Sequence, residues 1–114
     1  MQHDNVHHDN IYAYVGGGFS ICNQLKGHPD QFFRNTVVQE HDGDYGSGQA
    51  CSTSDSEDAT VVHDNTIYTP TGKVTECGMS LAAWQAKWND PGTKGAATPD
   101  DAVIIDLARA ALGM

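Results

Sequence analysis

Basic residues are scarce in this chain. Six lysines and arginines stand against 15 aspartates and glutamates, a formal net charge of −9 with histidine neutral. Nucleic acid and anionic lipid surfaces both require a cationic footprint, so neither is an expected partner. Long apolar runs are missing as well: nothing approaches the roughly 20 consecutive apolar residues of a membrane span. The opening Met1-Gln2-His3-Asp4-Asn5 has neither a basic nor an apolar signal region, so no signal peptide is read there. Cysteine is present in an odd number, three, which leaves at least one thiol outside any internal pair. There is no Ser-His-Asp order, no glycine-rich phosphate loop and no Cys-x-x-Cys. With 114 residues, 39% of them apolar, the chain has room for one small domain.

What it does have is a repeated phrase. Val6-His7-His8-Asp9-Asn10-Ile11-Tyr12 is followed by Phe33-Arg34-Asn35-Thr36-Val37-Val38 and by Val61-Val62-His63-Asp64-Asn65-Thr66-Ile67-Tyr68. The asparagines lie at 10, 35 and 65, intervals of 35 − 10 = 25 and 65 − 35 = 30 residues. Periods of this size mark stacked supersecondary units. The phrase is already running at Val6, so a parent sequence continuing upstream is expected. The first copy lacks the threonine that follows the other two asparagines, and a bulge or corner shift must absorb the offset.

Between the copies, Gly16-Gly17-Gly18 turns the chain and Phe19-Ser20-Ile21-Cys22 alternates as a short strand does. Residues 40–58 make the longest irregular stretch. Pro70-Thr71-Gly72 turns into Lys73-Val74-Thr75-Glu76-Cys77, another strand. Ser80 is placed to cap a helix over 81–87, with Leu81, Trp84 and Trp88 on one face. Thr98-Pro99-Asp100-Asp101 is a helix start, and Gly113 is placed to stop that helix. Its stripe of Val103, Ile104, Leu107 and Leu112 is expected to pack on the repeats.

These features predict an all-β fold: a right-handed parallel β-helix of about three coils over 1–78, with a C-terminal helical cap over 79–114 in the same domain. Asn10, Asn35 and Asn65 would form a ladder at one corner. A small β-sandwich with a helix fits the glycine turns but not the asparagine spacing. The phrases "VHHDNIYAYVGGGFSI" and "ATVVHDNTIYTPTG" resemble coils of the pectate-lyase-like superfamily of β-helix repeat proteins, and 79–114 resembles the C-terminal portion of such proteins. The resemblance implies an extracellular or cell-envelope setting and a polysaccharide as ligand. Enzymes of that group carry paired aspartates, often with a nearby arginine or lysine, and that constellation is not found here. Arg34 is the only basic residue within the three copies.

Candidate residues follow from position. Tyr12 and Tyr68, assigned one repeat position, and Tyr45 are candidates for stacking on sugar rings, against the alternative of an aromatic stack internal to the fold. Asp42 and Asp44, at alternate positions before Tyr45-Gly46-Ser47-Gly48, are candidate calcium ligands, although the third acid and closing glutamate of a calcium loop are missing. His8-Asp9 and His63-Asp64 offer imidazole–carboxylate pairs for a divalent metal, or simply polar corners. Cys22, Cys51 and Cys77 recur at similar offsets after the asparagines. Cys51 can reach either neighbour in an oxidising compartment, Cys22 and Cys77 cannot pair, and three reduced core cysteines are the alternative. The expected function is a non-catalytic module, structural or carbohydrate-binding, read as a fragment of a larger protein and needing no cofactor. The alternative is a polysaccharide lyase or glycoside hydrolase, with or without calcium as its cofactor. A homodimer through the N-terminal coil is expected, because nothing before Val6 covers it.

Overall fold

Each asparagine sits at a corner between two short strands. In the computed structural model, which describes residues 6–16, 19–21, 31–48, 61–76, 78–88 and 90–113, the first strand of each pair is β1 (Val6–His8), β4 (Gln31–Phe33) or β8 (Val61–His63). The second is β2 (Ile11–Val15), β5 (Thr36–Gln39) or β9 (Thr66–Thr69). The residue before each asparagine turns the chain with a positive φ: Asp9 at 56°, Arg34 at 51° and Asp64 at 55°. That left-handed conformation disfavours most side chains. At the two inner corners the asparagine compensates, because its short amide reaches main-chain groups of the preceding unit and fixes the corner.

The strands pair in parallel across units. β1, β4 and β8 form one sheet, with Val6 beside Gln31 and Gln31 beside Val61. β2, β5 and β9 form a second, which a fourth strand, β12 (Lys94–Ala97), extends beyond β9. β3 (Phe19–Ile21) pairs with β7 (Gly46–Gly48). β6 (Gly43–Asp44) pairs with β10 (Val74–Glu76), and β11 (Met79–Ser80) folds back antiparallel on β10. Two helices, α1 (Leu81–Trp88) and α2 (Asp101–Ala111), complete the chain.

This arrangement corrects the all-β expectation. Among the described residues the strands are divided among four separate sheets, one of them mixed, and the helices make the content mixed α/β rather than a β-helix of three coils with a cap. The repeat spacing sets pairwise parallel registers. Among the described residues it does not make every strand of a unit stack in one continuous series: β8 ends its sheet where β9 continues to β12, and β3 has the single partner β7. The division expected at residue 78 is crossed by β12, which belongs to 79–114 and lies in the central sheet.

The core is built from Phe32, Val37, Tyr45, Val62, Ile67 and Val74, joined by Tyr12, Val15 and Leu81. Tyr12, Val37, Ile67 and Gly95 stand in one row across the four-stranded sheet. The offset of the first copy is absorbed by a bulge at Tyr14, whose φ is 57°; Ala13 pairs with Val38 and Val15 with Gln39. The bulge keeps Val15 on the core side.

Glycine closes the row at position 95 because Val74 comes in beneath it. A Cβ on Gly95 would lie 2.5 Å from Val74 Cγ2 and 3.1 Å from its Cβ, and Val74 is itself buried. Replacing Gly95 with alanine is therefore expected to cost about 1–3 kcal/mol by overpacking. Urea unfolding with an unchanged m-value and a lowered midpoint would register it; a midpoint equal to the parent's would show that Val74 has room to move.

Ser80 caps α1 as expected, its Oγ accepting from the Ala83 N–H at 3.2 Å. α2 starts two residues later than expected: Asp100 is its N-cap without a side-chain cap bond, and Thr98 is not the capping hydroxyl. It lies against β2 and buries Ile104. Leu107 is half-buried, whereas Val103 and Leu112 are 46% and 73% exposed, so the stripe expected to pack does so only through its middle.

Candidate functional site

The asparagines form the ladder that their spacing suggests. The Asn10 N–H donates to Asn35 Oδ1 at 3.0 Å, and the Asn35 N–H donates to Asn65 Oδ1 at 3.0 Å. In return Asn35 Nδ2 donates to the His7 carbonyl at 2.9 Å, and Asn65 Nδ2 to the Phe32 carbonyl at 3.2 Å. The Asn65 N–H then donates to Thr93 Oγ1 at 3.1 Å. A fourth corner thus exists, Pro91-Gly92-Thr93-Lys94, with threonine in the asparagine's place. Gly92, at φ 78°, takes the place of Asp9, Arg34 and Asp64.

Around this ladder the corner side chains make two exposed columns. Rings of His8, Phe33 and His63 stack at centroid separations of 5.3 and 4.8 Å with interplanar angles of 9° and 6°. Asp9, Arg34 and Asp64 alternate in charge beside them. Arg34 donates through Nε and Nη2 to the two oxygens of Asp9 at 2.9 and 2.8 Å, and its guanidinium lies over Phe33 at 4.7 Å from the centroid. His8 Nδ1 is 2.6 Å from Asp9 Oδ2, and His63 Nδ1 is 2.7 Å from Asp64 Oδ2. The Arg34 guanidinium, followed by His8, holds the Asp9 carboxyl far below the usual carboxylate range.

A ring of Phe33 separates the two imidazoles, so the two His-Asp pairs do not converge. Among the described residues no group of three or more histidines, cysteines, aspartates or glutamates is placed to hold a metal ion. Asp42 and Asp44 are brought near each other on β6 and its approach, but each carboxylate is turned to the next unit. Asp42 accepts from the Thr71 N–H at 3.0 Å and from Thr71 Oγ1 at 2.6 Å. Those bonds lower its pKa. Asp44 Oδ1 accepts from Thr75 Oγ1 at 2.5 Å and from the Gly78 N–H at 3.4 Å.

The three tyrosines do not share a face. Tyr12 stands opposite Val37 and Ile67, whereas Tyr68 stands opposite Val38. Neighbouring strand positions point to opposite faces. The tyrosines read as one repeat position are thus one residue out of step. Tyr12 stacks on Phe32 at 6.0 Å, facing the core. Tyr45 is fully buried and is no platform for a sugar. Cys22, Cys51 and Cys77 lie outside the described residues, as do His3 and His28.

Tyr45 belongs instead to a buried polar cluster that sequence reasoning missed. Its hydroxyl donates to Asp90 Oδ2. Trp84 Nε1 donates to the same oxygen at 2.9 Å and lies 3.2 Å from the Tyr45 hydroxyl. Thr93 Oγ1 donates to Asp90 Oδ1 at 2.5 Å. Burial is the main cause that raises the Asp90 pKa, against the three hydrogen bonds that lower it. Burial likewise, followed by the Asp90 charge, pushes the Tyr45 phenol up. The Asp-Pro-Gly-Thr sequence reads as a helix breaker, and only its position one interval after Asn65 could have signalled a fourth corner.

Comparison with known proteins finds no matching family model, no matching curated protein and no matching solved structure. The resemblance to pectate-lyase-like proteins rests on the quoted phrases alone. No helix among the described residues is long and apolar enough to cross a membrane.

Proposed function

We propose that the chain is a non-catalytic structural module. The observation that supports this reading is how its carboxylates are used. Asp9, Asp42, Asp44 and Asp90 each accept hydrogen bonds from another unit or from the corner that follows. A general acid or a metal ligand must keep a lone pair or a proton available to substrate or ion. Here those positions bind successive units to one another. Carbohydrate binding is the weaker half of the expected function, because the candidate tyrosines diverge. Self-association through the N-terminal edge competes for a surface considered below.

Incubating the protein with an acidic polysaccharide, with and without calcium, tests the reading directly. No new unsaturated ends, read by ultraviolet absorbance, and no new reducing ends are expected. Calcium-dependent formation of either product would replace the structural reading with the lyase or hydrolase alternative.

A further inference from the structure

We propose that the outer edge formed by β1 and β2 receives an extended basic peptide strand in parallel register. Both strands stand at the end of their sheets, with β4 and β5 on one side and no strand among the described residues on the other. An open edge by itself attracts any strand. Three features of this edge specify one.

The first is the head of the ladder. At each inner corner the asparagine side chain serves the preceding unit twice. Its Oδ1 accepts that unit's corner N–H, and its Nδ2 donates to the carbonyl three residues earlier. Asn10 carries the same amide at the outermost position, and its Nδ2 rests on the Tyr12 hydroxyl at 3.3 Å. A parallel strand laid beside β1 would offer it one N–H and one carbonyl, the pair that Asn35 and Asn65 already take. Strand addition of this kind draws affinity from the main chain and specificity from side chains.

The second is charge. The column reads Asp9, Arg34, Asp64 from the edge inward, negative, positive, negative. Asp9 is half exposed, and a positive residue on the incoming strand continues the alternation. The chain's net charge of −9 favours a basic partner and opposes a second copy of itself. The third is the aromatic column. His8 stacks on Phe33 with one ring face and is itself half exposed, so an aromatic residue on the incoming strand would extend the stack. The strand that fits reads aromatic, basic, then a corner residue with a free N–H. Phe33-Arg34-Asn35 has this order, and residues 31–39 carry one positive side chain and none negative, which makes them a usable probe.

The test is fluorescence anisotropy of a labelled synthetic peptide with blocked ends, Gln-Phe-Phe-Arg-Asn-Thr-Val-Val-Gln, titrated with the full chain. Saturable binding is expected. N-methylation of the peptide's asparagine, which removes the N–H offered to Asn10, should weaken it about tenfold or more, as should replacing its arginine with glutamate. In the protein, Asn10→Ala should weaken binding about tenfold with its unfolding midpoint nearly kept, since among the described residues the side chain hydrogen-bonds to Tyr12 alone. Asp9→Asn should erase the preference for an arginine peptide over a glutamine one. Absence of saturable binding would overturn the proposal. So would equal binding of the N-methylated peptide, or parent-like binding by Asn10→Ala. Sedimentation showing a dimer that the peptide does not dissociate would assign the edge to a second copy instead.

Discussion

Asp90→Ala is expected to destabilise the fold by about 3–5 kcal/mol, a large share of the roughly 5–15 kcal/mol that holds a domain together. The reason is the number of donors the carboxylate serves. Tyr45, Trp84 and Thr93 all aim at it from buried positions. Alanine removes the acceptor that these donors share where water does not reach, and each buried hydrogen bond lost to a charged group costs about 1.5–3 kcal/mol. Asp90→Asn, which keeps one oxygen, should cost less. Chemical denaturation of the three proteins orders them.

The same residue gives a pH signature. Its folded pKa is raised above the ordinary aspartate value, with burial as the largest cause. The stability it confers is therefore fully present below the unfolded value and declines as pH rises through the folded one. Asp9 and Asp42 have lowered values and act in the opposite sense, but both are present in parent and variant and cancel in the difference. The gap in unfolding free energy between the parent and Asp90→Ala should be widest in acid and narrower at alkaline pH. A gap that widens with pH would mean that the hydrogen bonds outweigh burial at this site.

Asn65→Ala should be the second most damaging change, at about 2–4 kcal/mol. Asn65 is fully buried and answers two main-chain groups, the Asn35 N–H and the Phe32 carbonyl. The Asn35 N–H would lose its side-chain acceptor and the Phe32 carbonyl one of its donors. Asn10→Ala removes the same amide from the exposed end of the ladder, where it meets only a tyrosine hydroxyl, and should cost a few tenths of a kcal/mol. Thermal unfolding of the pair compares identical chemistry in two environments. Equal losses would show that the ladder contributes through the backbone alone.

Much of the strand register was legible because asparagine at a corner is a strong local signal. The intervals of 25 and 30 residues brought the three amides into one ladder, and the short first copy announced its bulge. The division of the strands into separate sheets was not legible, because periodicity reports which residues pair and not how many sheets share them. β12 escaped notice since Lys-Gly-Ala-Ala has little strand propensity and its glycine is there to admit Val74. The site suffered from a counting error of one residue in Tyr68, enough to turn a side chain through the sheet. Tyr45 sat in a polar, glycine-rich segment that looked exposed. Its burial depends on Asp90 and Trp84, both about 40 residues away in the sequence.

The spacing of the corners also bears on the order in which the chain assembles. Successive corners are separated by 25, 30 and 28 residues. Loop-closure entropy changes slowly with length, so bringing any two neighbouring corners together differs by only about 0.2 kcal/mol. Chain length therefore favours none of the three encounters. What separates them is the apolar surface each one removes from water. β5 meeting β9 brings together Val37, Val38 and Ile67, all fully buried, whereas β2 adds a bulged edge and β12 four exposed residues. Three closures of equal entropic cost and unequal reward place the nucleus in the middle of the chain, with growth outward toward both termini.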